Sequence, residues 1–105
     1  MVPVRPFRRI ARIARIARVA RVAGLAALVR ALWHDATGDW DGAHRVAQDI
    51  ETPEGAWVHA YLHRKEGDLV NAGYWYRRAC KPVADGALAA EWRAILRALS
   101  ATPVG

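Results

Sequence analysis

The chain has 105 residues, 53% of them apolar, with one Cys, one Phe and a formal charge of +6. That length allows one small domain, and a single Cys80 excludes an intrachain disulfide or a paired-thiol metal site, so a reducing cytoplasmic setting is expected. Residues 1–30 carry eight Arg and no acid, whereas residues 31–105 carry eight Lys or Arg against ten Asp or Glu. The excess charge therefore belongs to one segment and not to a basic face of a fold.

That segment is RIARIARIARVARVA at residues 9–23, a three-residue unit taken five times. A helix turns about 100° per residue, so each three-residue step falls short of a full turn by about 60°. From Arg9 to Arg21 the arginines, and the Ile and Val residues beside them, spiral around the circumference. No fixed apolar stripe forms, as a core helix or a membrane-surface helix would need. The longest run without charge at this end of the chain, from Val22 to Val29, is eight residues. A membrane span needs about 20. Residues 1–23 are read as an Arg-rich leader, helical by propensity, with Pro6 suited to a first turn. Phosphate contacts from Arg8 to Arg21 make non-specific nucleic-acid binding an alternative function, but no aromatic residue is interleaved to stack bases.

Residues 24–100 form the expected domain and residues 101–105 a tail. A longer period runs through the domain. With an offset of 29 and no gap, Ala31 aligns with Ala60, His34 with His63, Gly38 with Gly67, Asp39 with Asp68, Ala43 with Ala72 and Pro53 with Pro82. Periods of this order mark stacked supersecondary units. Gly38 and Gly67 suit left-handed residues that stop a first helix, and Asp39 and Asp68 suit caps that open a second. Pro53 and Pro82 are expected to end the second helices. His34 and His63 fall at inward-packing positions.

In the second unit, Trp57, Val58, Tyr61 and Leu62 share one helical face, with Ala56 and Ala60 leaving a thin flank for a neighbouring helix. Ala72, Tyr76 and Ala79 make the opposing stripe. Residues 85–99 place Leu88, Trp92, Ile95, Leu96 and Leu99 on one side, as a terminal helix that closes a stack, with Asp85 a candidate cap. The fold class expected is all-α, two helical hairpins and a closing helix. Two units are few for a continuous core. A homodimer, or packing by Leu25, Leu28, Val29 and Leu32, could supply more surface.

The ordered set Ala60, Gly67, Asp68, Ala72, Tyr76, Ala79 and Pro82 resembles a tetratricopeptide or Sel1-type repeat, and AGYWYRRA is especially Sel1-like. The earlier unit matches at Ala31, Gly38, Asp39, Ala43 and Pro53. The stretch WVHAYLHRKEGD…NAGYWYRRA also resembles a group of small uncharacterised bacterial proteins over about residues 31–99, which adds no activity. The tetratricopeptide resemblance implies a groove lined by first helices that holds a protein or peptide partner. By position it assigns Leu32, Asp35, Trp57, Tyr61, Arg64 and Lys65 to that groove. Aromatic residues with Arg are what binding hot spots favour.

His59, His63 and Glu66 lie at i, i+4 and i+7 and share a helix face, which makes a three-ligand metal centre, or an acid-base enzyme, a further alternative. Arg64 and Lys65 are adjacent positive charges that disfavour a cation, and a structural imidazole is the reading adopted for His63. No cofactor is expected. His44 could pair with Asp41 or Asp49, but no Ser, Thr or Cys stands in a recognisable nucleophile context, and no catalytic residue is assigned.

Overall fold

The computed structural model describes residues 6–101, and it is all helical: α1 (Pro6–Ala36), α2 (Trp40–Gln48), α3 (Pro53–Glu66), α4 (Leu69–Ala79) and α5 (Leu88–Ala101). The tail at 102–105 and the first five residues of the leader lie outside the described residues, as do the side chains of Arg8 and Arg9. No described helix is long and apolar enough to cross a membrane.

The two Gly-Asp corners take the same form. Gly38 and Gly67 have φ of 90° and 89°, a region where a side chain is strained. The next residue's amide closes each helix end: Asp39 donates to the His34 carbonyl at 2.8 Å and Asp68 to the His63 carbonyl at 2.9 Å. Each Asp then caps the following helix, its side chain accepting from the Gly42 amide in one case and the Asn71 amide in the other. Local sequence thus builds two antiparallel hairpins, α1 with α2 and α3 with α4.

The prolines act differently from expectation. α2 ends at Gln48, and Pro53 instead occupies the first turn of α3, behind a Thr52 cap that accepts from the Gly55 amide. Gly55 is required there because any Cβ would run into the Ile50 carbonyl. α4 ends at Cys80, which adopts a left-handed conformation with φ of 57° before Pro82 is reached.

α1 is one uninterrupted helix of 31 residues, about 46 Å long at 1.5 Å per residue. Its first half stands clear of the body, with Ile10, Ile13, Ile16 and Val19 each 61–64% exposed. Packing begins near Gly24 and Leu25, and Leu28, Ala31 and Leu32 are wholly buried. α1 therefore runs without a break from the Arg-rich repeat into the packed body, where Arg21 reaches the Glu54 carboxylate at 2.8 Å.

α3 packs against all four other helices. Ala56, Val58, Ala60, Tyr61 and Leu62 are buried, and so are His59 and His63. A helix covered on every side carries no polar stripe. α5 lies across α1 and α3, setting Ile95 and Leu99 into the main core with Leu88, Trp92 and Leu96 at its margin. Ala60, Ala72 and Tyr76 form a smaller core between α3 and α4.

Candidate functional site

The residues expected to line a partner groove lie where α5 meets α1 and α3. Leu32 is fully buried, and its carbonyl accepts a 2.9 Å hydrogen bond from the Trp92 indole of α5. Trp57 and Arg64 are held by Glu91 of the same helix: the Trp57 indole donates at 3.2 Å and the Arg64 guanidinium at 2.9 Å. Tyr76 donates to the same carboxylate at 2.6 Å, and Arg64 also donates to the Gly86 carbonyl. Glu91 is only 8% exposed. A buried carboxylate is stable only with such donors around it, so Glu91 fixes α5 on the second hairpin.

A matching arrangement joins the two hairpins. Asp35, 3% exposed, accepts from the Tyr61 hydroxyl at 3.0 Å and from the Lys65 ammonium at 2.8 Å. Burial pushes the Tyr61 and Tyr76 phenols up, and the neighbouring carboxylate pushes each further, so both stay protonated donors. Beside this cluster, Trp33, Asp35, Tyr61, Lys65, Leu88, Trp92 and Arg93 line a mostly apolar groove of about 540 Å³. Trp33 is 53% exposed and meets Trp92 edge to face at 5.0 Å. Of the six expected groove residues, Asp35, Tyr61 and Lys65 line this opening; Leu32 is buried, and Trp57 and Arg64, both half-buried, lie outside it, tied to Glu91 of α5.

The second cluster is built from imidazoles. His59 and His63, one turn apart on α3, meet His44 of α2, whose Nε2 is 2.9 Å from His59 Nε2. One potential ligand atom from each ring lies within 4.8 Å of the others. Two indoles wall the cluster: Trp40 stacks on His44 at 4.9 Å between ring centroids, and Trp75 stacks on His59 at 3.9 Å. Trp40 is itself anchored by its indole N–H on the Leu62 carbonyl at 2.8 Å. Glu66 accepts from His63 Nδ1 at 2.7 Å. An ionised carboxylate can only accept, so in this contact Nδ1 carries the proton. Glu66 thus orients His63 and is not the third member of the triad that the i, i+4, i+7 spacing suggested; His44 is.

Burial, then the neighbouring His44 and His63, push His59 down to about 4. His44 is lowered as well, by burial first and then by His63. These two rings are neutral at pH 7 and keep lone pairs. His59 Nδ1 is buried with no hydrogen-bond partner among the described residues, which costs about 1–3 kcal/mol when nothing compensates it.

His34 departs from the repeat. Its side chain is 49% exposed and sits 3.3 Å from the Asp39 carboxylate, whereas His63 is packed under Trp40 and His44. The reason is position in the stack: α2 covers α3 on that side, and no described helix does the same for α1. Glu91, and the part of His44 in the imidazole cluster, are not expected from sequence, yet each position carries a signal. Glu91 falls between Leu88 and Ile95 at helical spacing, in phase with the core face of α5. His44 lies in phase with Trp40, Ala43 and Ala47, the stripe of α2 that faces inward. Comparison with protein-family models, with curated proteins and with solved structures gives no match to this chain.

Proposed function

We propose that the protein is a small helical-repeat interaction module of the tetratricopeptide-like kind, taking a protein or peptide partner in the groove between the end of α1, the end of α3 and the start of α5. The observation that carries this reading is the groove itself, an apolar opening edged by an exposed Trp33 and bordered by Lys65 and Arg93. Aromatic side chains beside cationic ones are the usual energetic centre of a protein interface. The chemistry fits an apolar anchor side chain with a carboxylate close to it. Trp57 and Arg64 serve the fold in this reading, because Glu91 already engages both.

The test is cross-linked capture from the native host with the wild type and with Trp33→Ala combined with Arg93→Glu, both exposed positions. The partner held by the wild type is lost by the variant while its circular dichroism spectrum is unchanged. An identical set of partners on a helical variant rules the groove out.

A further inference from the structure

We infer that His44, His59 and His63 form a binding site for one zinc-class divalent ion, with Glu66 as the carboxylate that orients His63. Two rings at i and i+4 on α3 and a third from α2 bring three imidazoles to one point, from elements whose packing is already fixed by the core. Zinc–imidazole bonds of about 2.0–2.1 Å place neighbouring ligand nitrogens about 3.3 Å apart in a tetrahedral site. The nitrogens here stand 2.9 Å apart for His44 and His59, and within 4.8 Å for the whole set. Small side-chain rotations therefore bring all three onto one ion.

The donor set selects the ion. Three neutral nitrogens and no thiolate suit zinc and its neighbours in the first transition row, and not calcium or magnesium, which take oxygen. His44 is only half-buried, so solvent reaches the cluster there and supplies a fourth ligand. The Glu66–His63 contact is the outer carboxylate that commonly fixes the ring and proton position of a metal-bound histidine. The adjacent cations that argue against a metal in the sequence are directed elsewhere. Arg64 is paired with Glu91 and Lys65 with Asp35, both toward α5 and α1 and away from the imidazoles. In the His44–His59 contact two ring nitrogens share a single proton, and an ion in its place engages a lone pair from each ring.

The experiment uses the full chain, stripped of metal, in equilibrium dialysis against Zn²⁺ alone, with ring-proton NMR on the same samples. One ion per chain is expected, with the ring signals of His44, His59 and His63 moving and those of the exposed His34 unmoved. His44→Gln, at the least buried of the three positions, loses the ion while remaining helical, and Glu66→Gln weakens binding about tenfold. Failure of the folded wild type to retain zinc overturns the inference. So does retention by helical His44→Gln at wild-type affinity, or a zinc response confined to His34. The NMR arm needs no variant, so an unfolded substitution does not shield the proposal.

Discussion

The two hairpins are alike at their corners and unlike in their surroundings. Gly38 and Gly67 differ by one degree in φ, and Asp39 and Asp68 cap in the same way. Yet His34 faces solvent while the aligned His63 is buried beneath a second helix. The corner depends on four or five consecutive residues and repeats wherever they do. Burial depends on which helix lies alongside, and that differs between the first and second places in a stack. A matching sequence period therefore transfers backbone conformation more faithfully than it transfers chemical environment.

The largest expected effect lies on the second hairpin. Glu91→Ala leaves the Arg64 charge, whose side chain is 13% exposed, without its carboxylate and strands the Tyr76 hydroxyl. A loss of about 3 kcal/mol is expected in urea denaturation. The counterpart, Asp35→Ala, should cost about half as much, because the Lys65 side chain is 38% exposed and can be solvated. A larger loss from Asp35→Ala would reverse the comparison.

Acid should act next, and again on the second hairpin. His59 titrates near 4 in the folded chain and near 6.5 when unfolded. The unfolded state takes up its proton first, so the stabilisation is complete above about pH 6.5 and is lost as pH falls toward 4. His44 and His63 flank the ring, and Asp41 and Glu66 act on His44 in the opposite sense. On the order of 2 kcal/mol is expected to disappear across that window in metal-free denaturation series. A flat wild-type profile would contradict the burial assigned to His59.

The smallest effect concerns the shared corner. Gly38→Ala and Gly67→Ala should each cost about 1 kcal/mol, since both require positive φ and neither has an obstacle within 4 Å of the added carbon. Equal changes in thermal denaturation sharpen the likeness of the hairpins, and unequal ones show that tertiary packing reaches the turns.

What was legible in the sequence was local. The glycine conformations, the Asp caps, the buried stripe of Ala72, Tyr76 and Ala79 and the apolar side of α5 all follow from spacing and residue type. Proline stops one helix and starts another equally well, and only the Thr52 cap places Pro53 in the first turn of α3. The tetratricopeptide resemblance implies first helices open to a partner. Here α5 crosses two of them, and the carboxylate that holds it lies 27 residues from Arg64 and 34 from Trp57. The third histidine was likewise hidden, because its convergence with His59 spans the joint between two helices and has no fixed spacing.

In an extended array each unit touches only its neighbours, and the ends fray one at a time. This molecule has a hub instead, since α3 contacts every other helix. Detaching any one of them exposes part of the same central element, so no hairpin can be shed while the remainder persists. The body should melt all at once, with the projecting half of α1 alone free to lose its coil early.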